Sequence, residues 1–276
     1  MNIGRVLADA RKVLADSPTG QLDSEILLGH VLAVPRAHLY ANPEADTSAR
    51  QQSDFLQLVD RRIQGEPIAY LVGHREFWSL QLKVTPDVLI PRTETELLVE
   101  TALDRIPPES KLRIADLGTG SGALALAIAS ERPNCVIHAS DISSSALAVA
   151  RENARALGLQ RIRFHEGRWL EPLTGSFALI VSNPPYIPRG DPHLQQGDIR
   201  FEPEAALVPG PDGMSAIHHI AMESLPKLEP GGYLIIEHGC EQGQATRSLL
   251  KSLAYQAVET KRDLANLARV TVGQKP

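Results

Sequence analysis

Asn183-Pro184-Pro185-Tyr186 stands one residue beyond the apolar run Phe177-Ala178-Leu179-Ile180-Val181, which reads as a buried strand. A strand that opens into these residues suits methyl transfer to a planar nitrogen. The lone pair of an amide or aromatic-amine nitrogen is delocalised, so the nitrogen attacks poorly until acceptors hold its two N–H groups. Asn183 offers a side-chain carbonyl. The consecutive prolines Pro184 and Pro185 lack backbone N–H groups and have fixed φ, so the Pro184 carbonyl can be presented rigidly as the second acceptor. Tyr186 would cover one face of the planar group. The plain alternative is a strong turn signal after a strand.

A second chemical motif lies upstream. Asp116-Leu117-Gly118-Thr119-Gly120-Ser121-Gly122 closes an apolar strand and opens a helix, the place where a doubly wound sheet holds a nucleotide. Asp141 ends the next strand, about twenty residues on, where an acid binds ribose hydroxyls. Gly118, Gly120 and Ala123 also satisfy the dinucleotide pattern, so a nicotinamide enzyme rivals an S-adenosylmethionine enzyme on the loop alone. Asp116 tilts the choice: an acid beside the loop suits a sulfonium or an amino group and opposes a pyrophosphate. Hydride transfer also has no evident use for Asn-Pro-Pro-Tyr.

The elements that must position these motifs follow from periodicity. From about Lys111 onward apolar strands alternate with helices: Leu112 to Leu117, then Ala123 to Ser130; Val136 to Ser140, then Ser143 to Leu157; Ile162 to His165; Phe177 to Val181; Tyr233 to Glu237, then Glu241 to Leu253. That alternation predicts an α/β fold with an open, mostly parallel sheet covered on both faces. Gln256 to Glu259 and Arg269 to Val272 would add a final hairpin. Ahead of this lie three predicted short helices. The first carries Ile3, Val6, Leu7, Ala10 and Leu14; the second is capped by Asp23; the third is opened by Thr47 or Ser48. After a break at Gly65-Glu66-Pro67, Phe77 to Val84 alternates as a strand or hairpin. The expected division is a helical domain at 1–75, a strand or hairpin linker at 76–92, and the α/β domain at 93–276.

The 276 residues are 43% hydrophobic, enough to bury a full core. The longest apolar runs are too short to span a bilayer and the start lacks a basic then apolar leader, so a cytoplasmic protein without membrane partners is expected. Cys135 and Cys240 stand outside ligand spacing, so no metal is expected. The net charge of −5 is spread: residues 1–92 hold 10 Lys+Arg against 11 Asp+Glu, and the remainder 18 against 22. Neither part has the basic surplus of a phosphate-gripping surface, although Arg161, Arg163 and Arg168 could form a local patch.

With both motifs in hand, the chain closely resembles the HemK/PrmC family, the N5-glutamine methyltransferases that act on class I peptide chain release factors. The resemblance covers essentially the whole length. It includes Gly65-Glu66-Pro67-Ile68-Ala69-Tyr70, Phe77-Trp78, Ile90-Pro91-Arg92-Thr93-Glu94-Thr95-Glu96, and Gln195-Gln196-Gly197-Asp198-Ile199-Arg200-Phe201-Glu202-Pro203. It implies a Rossmann-like, seven-stranded class I methyltransferase domain with a small N-terminal helical domain that helps engage the release factor. It implies S-adenosyl-L-methionine as cofactor, held by Gly118, Thr119, Gly120, Ser121, Gly122, Asp141, Trp169 and Asn183. The substrate glutamine amide would be held by Asn183, Pro184, Pro185 and Tyr186, with Asn183, Pro184 and Tyr186 in the catalytic roles. Family members often carry an acid immediately before the tryptophan, where this chain has Arg168.

The expected reaction is direct in-line transfer to the N5 of the glutamine in a Gly-Gly-Gln motif, by a monomer with no direct nucleic-acid contact. An adenine-N6 methyltransferase acting on DNA or RNA is the alternative, because its target amine presents the same two N–H groups. A non-catalytic protein with a retained cofactor fold is a third reading. The remaining candidates are bland. His218-His219 is read as helix surface, with no acid or cysteine at useful spacing. Glu237-His238-Gly239 follows a strand where functional residues gather, and a plain turn accounts for it equally well. Asp263 carries no assigned role, and Phe77 and Trp78 are favoured as packing residues.

Overall fold

The computed structural model describes residues 1–210 and 212–276. The chain divides into two compact units, Met1–His74 with Gln195–Phe201, and Arg75–Leu194 with Glu202–Pro276.

The first unit is helical: α1 (Ile3–Val13), α2 (Gly20–Leu32), α3 (Arg36–Ala41), α4 (Ala49–Ile63) and α5 (Ile68–Val72). Ile3, Val6, Leu7 and Ala10 line one face of α1 and pack with Leu27, Leu28, Phe55 and Val59. The Ser48 hydroxyl opens α4 through a reciprocal capping box with Gln51. Asp23 does not cap α2. Thr19 is the N-cap residue, and Asp23 lies within the helix, accepting from the Thr19 hydroxyl (3.0 Å) and from Arg62 Nε (2.8 Å). Gly20 starts the helix earlier than expected because the chain passes so close to Leu14 that a Cβ would lie 2.3 Å from its carbonyl oxygen. Helices α3 and α5 are additions to the three expected. Both are single short segments begun at proline, Pro35 and Pro67, with too little length to show a period. Glu25 is buried and bound by Arg11, Arg36 and Tyr40. Burial opposes its charge, yet hydrogen bonds from Tyr40, Arg36 and Gln21 hold its carboxyl down to about 2. The distant turn Gly197–Phe201 joins this unit through Arg62 Nη1 to Asp198 (2.9 Å) and Arg200 Nη2 to the Gln64 carbonyl (2.5 Å).

The second unit begins within a hairpin, at the second residue of β1 (His74–Phe77), which continues into β2 (Leu80–Lys83) through a two-residue turn that puts Trp78 and Ser79 in the left-handed region. Then come α6 (Glu96–Leu103), β3 (Arg113–Leu117), α7 (Ala123–Glu131), β4 (Val136–Asp141), α8 (Ser144–Ala156), β5 (Arg163–Glu166) and β6 (Phe177–Ser182). The unit ends with α9 (Glu204–Leu207), α10 (Ser215–Lys227), β7 (Leu228–Glu237), α11 (Gly243–Ser252), β8 (Gln256–Arg262) and β9 (Ala268–Gln274). Seven strands form one sheet in the order β5-β4-β3-β6-β7-β9-β8. Strands β3 to β7 are mutually parallel, and β9 runs antiparallel to both β7 and β8.

Side chains alternate along each strand, so the sheet carries two cores. Ile114, Leu179, Val181 and Ile235 meet α6 and α7 on one face. Ala115, Leu117, Ile180, Leu234 and Ile236 meet α10 and α11 on the other. Strand order reverses between β3 and β6, which makes their C-terminal ends the switch point where open α/β sheets bind ligands. Among the described residues no helix is long and apolar enough to cross a membrane.

Phe177 anchors the start of β6, fully buried, with the Arg113 guanidinium 5.0 Å from its ring centre and His138 edge-on at 5.6 Å. Phe177→Ala is expected to destabilise the protein by about 3–5 kcal/mol in chemical denaturation. A loss below about 1 kcal/mol would show that β6 is not held by this packing.

Candidate active site

Leu117 and Ser182 end β3 and β6 opposite each other, and the Ser182 hydroxyl donates to the Leu117 carbonyl at 2.7 Å. The chain therefore leaves two adjacent strands side by side, into Gly118 on one and Asn183 on the other. A cavity of about 230 Å³ opens there, and its wall includes Gly118, Gly120, Asp141, Trp169, Asn183 and Pro185. Thr119, Ser121, Gly122, Pro184 and Tyr186 are outside that wall. The Thr119 hydroxyl instead donates to Asp116 Oδ2 (2.6 Å), the Ser121 carbonyl accepts from Asn153 Nδ2 (2.9 Å), and Gly122 begins α7 against Ala150. These three residues set the loop's shape.

Asp141 closes the loop from β4. Its Oδ2 accepts from the Gly120 amide (2.8 Å) and its Oδ1 from the Ser143 amide (2.9 Å), while burial raises its carboxyl above the usual range. Trp169 is held at a positive φ of 46°, with its carbonyl bound by the Ser140 hydroxyl at 2.6 Å. Its ring covers Gly118 so closely that a Cβ there would lie 3.0 Å from a ring carbon. Arg168 also lines the cavity and is exposed. Asp116, fully buried below the loop, accepts from Thr119 and from the Ala125 amide (3.2 Å) through Oδ2 alone. Its Oδ1 and the indole Nε1 of Trp169 are buried without a hydrogen-bond partner. Burial pushes the Asp116 carboxyl up to about 7, and the charge of Asp141 adds to the rise.

On the other side of the switch point, Asn183 Nδ2 donates to the Thr95 hydroxyl at 3.1 Å. The buried Glu237 carboxylate closes β7 nearby. The Tyr186 hydroxyl points at Glu237 Oε1 over 3.5 Å, and the Tyr186 carbonyl accepts from Gln242 Nε2 (3.0 Å). Gln242 Oε1 accepts from the Gly239 amide (2.8 Å), so one side chain ties the Asn-Pro-Pro-Tyr turn to the segment after β7. Burial raises the Tyr186 hydroxyl, with the charge of Glu237 contributing. The same burial pushes Glu237 up to about 7 against the pull of Thr95 and Arg269.

Thr95 is a residue at the site that the sequence alone does not single out, while Glu237 belongs to the Glu237-His238-Gly239 stretch that the sequence leaves open between a functional place and a plain turn. Thr95 lies inside the stretch Ile90 to Glu96 already marked by resemblance, and a carboxylate closing the apolar strand Tyr233 to Ile236 is a signal that burial makes meaningful. Phe77 is buried in the second unit's core, and Trp78 Nε1 donates to Glu131 at 2.9 Å; neither lines the cavity. His219 does have an acid at useful spacing, Glu223 one turn along at 3.0 Å, which corrects the sequence reading. His218 is exposed, and among the described residues no cluster suited to a metal is present. Asp263 binds Arg269 (2.9 Å) at the β8–β9 turn.

A sheet of this strand order, with a glycine loop and an acid on neighbouring strand ends, defines a class I S-adenosylmethionine-dependent methyltransferase. The residues present fit that cofactor: unpartnered Asp116 Oδ1 is an acceptor for an ammonium group, Asp141 keeps lone pairs for ribose hydroxyls, and the space beside Gly120 is open. Residues 5–73 match the PrmC N-terminal domain and residues 93–197 the methyltransferase small domain. The chain is similar to the release factor glutamine methyltransferase of Xylella fastidiosa, 50% identical over 93% of this chain and 94% of that one. The protein of the same name from Yersinia pestis is 50% identical over 97% of this chain and 96% of its own. A methyltransferase crystal structure from Pyrococcus furiosus shares the fold, with a TM-score of 0.54 at 17% identity over 83% of this chain and 99% of that one. The chain belongs to the release factor glutamine methyltransferase family.

Two outcomes follow from the cofactor side. Gly118→Ala combines a φ of 73° with a 3.0 Å approach to Trp169, so calorimetry should show S-adenosylmethionine affinity falling at least about tenfold. Unchanged affinity would mean that the ring moves aside freely. Asp116 holds its proton in the fold up to about pH 7, against an ordinary value of 3.8. Between those values the folded state binds more protons than the unfolded one, so wild-type stability falls as pH rises. Asp116→Asn removes that titration. Without cofactor, the unfolding free energy of the variant minus that of wild type should grow from about pH 4 to about pH 7 and then level off. A pH-independent difference would contradict it.

Proposed function

We propose that the chain transfers a methyl group from S-adenosylmethionine to the side-chain amide nitrogen, N5, of the glutamine in the Gly-Gly-Gln motif of class I peptide chain release factors. The observation that carries this reading is the orientation of Asn183. With Nδ2 committed to Thr95, its Oδ1 is the end left to accept a ligand N–H at the cavity wall. The Pro184 carbonyl takes the second N–H, and Tyr186 covers one face of the amide. A planar group with two N–H donors on one nitrogen satisfies this pair of acceptors.

S-adenosylmethionine supplies an electrophilic methyl on a sulfonium centre. Gly118, Thr119, Gly120, Ser121 and Gly122 shape its berth, Asp141 takes the ribose hydroxyls, and Trp169 stands beside the adenine. Asn183 serves both pockets, since it lines the cavity and faces the acceptor nitrogen. The residues act by orientation and exclusion of water, and no charged base is required, because the N–H becomes acidic once the nitrogen has gained the methyl. The proton leaves late, to water or a nearby acceptor.

The functional division we propose places substrate engagement in residues 1–75, the linker at 76–92 and methyl transfer in 93–276. The enzyme acts as a monomer in the cytoplasm, without direct nucleic-acid contact. Two features support a protein substrate over an adenine: no basic surplus in either part of the chain, and the match of residues 5–73 to the PrmC N-terminal domain.

Labelled methyl from S-adenosylmethionine should appear on a purified class I release factor and be absent from a copy whose motif glutamine is replaced. Label on DNA or RNA instead would move the assignment to adenine. Asn183→Ala is expected to lower turnover at least about 100-fold while cofactor affinity changes far less. An unchanged rate would remove Asn183 from the mechanism.

A further inference from the structure

Two prolines remove the amide hydrogens from the middle of the Asn-Pro-Pro-Tyr turn, so Pro184 and Pro185 have no donors of their own to tie them down. Their φ angles are fixed, and Asn183 and Pro184, each standing before a proline, are confined to extended ψ values. Such a segment is stiff and must be held at its ends. Asn183 secures the start through Nδ2 on the Thr95 hydroxyl, at 3.1 Å. The far end is the Tyr186 carbonyl, and the group that binds it is the side-chain amide of Gln242, with Nε2 at 3.0 Å.

Gln242 stands at the N-cap position of α11, yet its side chain makes no capping bond to that helix. Its backbone is secured separately: the amide donates to the Gly239 carbonyl (2.9 Å), and the carbonyl accepts from the Thr246 amide (2.9 Å) and hydroxyl (3.0 Å). The side chain instead joins three segments. Oε1 accepts from the Gly239 amide (2.8 Å), and Nε2 donates to the carbonyls of Tyr186 (3.0 Å) and Gly213 (3.3 Å). One N–H and two carbonyls admit a single orientation of a primary amide, because only its oxygen accepts and only its nitrogen donates. Backbone crowds in on both sides. A Cβ at Gly213 would lie 2.6 Å from the Tyr186 carbonyl oxygen and 2.9 Å from Gln242 Nε2, and one at Gly239 would lie 3.1 Å from Gln242 Oε1 and 3.7 Å from Tyr186 Cδ2.

We propose that Gln242 is a positioning residue for methyl transfer, holding the Tyr186 end of the turn so that the Pro184 carbonyl and the Tyr186 ring stay aimed at the acceptor amide. With Asn183 fixed at one end, any shift of the Tyr186 carbonyl passes through the rigid prolines to the Pro184 carbonyl. A displacement of about 1 Å takes an N–H···O contact out of the hydrogen-bond range of about 2.7–3.2 Å. A misplacement of that size costs on the order of 100-fold in rate where reacting atoms must be aligned. Gln242 does not line the cavity, so its loss should leave cofactor binding intact.

This role rests on the acceptor function proposed for Asn183 and Pro184, and one set of measurements separates the two. Single-turnover methylation of a class I release factor would be followed at pH 8 and saturating S-adenosylmethionine, with calorimetric cofactor affinity and hydrogen–deuterium exchange in parallel. Gln242→Met keeps the side chain's length and loses all three bonds. It should slow the step at least about tenfold with cofactor affinity within about twofold. Exchange should quicken at the Ile187 amide, which binds the Leu207 carbonyl (3.0 Å) just beyond the turn, while the amides of α11 stay as in the wild type. Gln242→Glu keeps an acceptor for Gly239 but sets an oxygen against two carbonyls, so it should be at least as slow as Gln242→Met. A residue that served only to start α11 would give the opposite ranking, because an acid at a helix N-terminus is favourable. A full rate in Gln242→Met, a faster Gln242→Glu, or a rate loss matched by cofactor affinity and α11 exchange would each overturn the role. Should Gln242→Met fail to fold, Gly213→Ala presses on the same clamp from the other side. Its rate should fall with cofactor affinity kept, and an unchanged rate would overturn the role. Failure of the wild type to methylate the glutamine would instead overturn the functional reading, and this role with it.

Discussion

The pairing of Leu117 with Ser182 is the constraint on which the site depends. A parallel sheet points all its C-terminal ends one way, and reversal of the strand order between β3 and β6 leaves a gap over this one pair that crossover helices do not fill. The glycine loop leaves one strand, Asn-Pro-Pro-Tyr leaves the other, and the Ser182 hydroxyl closes the junction below them. A one-residue slip in this register would put Asn183 within the strand and turn the side chains of β6 to the wrong faces. The two buried cores thus do more than stabilise the sheet. They fix the distance between the glycine loop and the Asn-Pro-Pro-Tyr turn.

Two buried carboxyls flank that junction, Asp116 ahead of the loop and Glu237 at the end of β7, and each has one oxygen without a partner. Such groups lower stability unless a proton or a ligand satisfies them. Glu25 offers the contrast within the same chain. It is equally buried, but Arg11, Arg36, Gln21 and Tyr40 satisfy it, and it sits in a helical core far in sequence from either motif.

Much of this was legible in the amino-acid sequence because it is local. The central strands are short, mostly apolar runs, the helices after them either show the 3.6 period, as α8 does, or are apolar throughout, as α7 is, and the glycine loop falls between β3 and α7, so the doubly wound sheet follows directly. What was not legible has a physical reason in each case. Helices α3 and α5 are too short to display a period, and α6 carries no strong cap signal. Asp23 looked like a cap until Gly20, packed on Leu14, started α2 a turn earlier. The contact of Thr95 with Asn183 spans 88 positions, and that of Tyr186 with Glu237 spans 51, so no spacing rule reaches them. The Gln195–Phe201 turn groups with the helices through Arg62 and Arg200, side chains that in sequence read as ordinary surface charge.

The central claim is that two fixed acceptors at the end of β6 hold a glutamine side-chain amide by both its N–H groups. A crystal structure with S-adenosylhomocysteine and a short peptide containing Gly-Gly-Gln tests it most directly. The account predicts the glutamine nitrogen at hydrogen-bond distance, about 2.7–3.2 Å, from both Asn183 Oδ1 and the Pro184 carbonyl, with Asn183 Nδ2 still on Thr95. A glutamine bound through its carbonyl oxygen, or an Asn183 amide turned the other way, would contradict it.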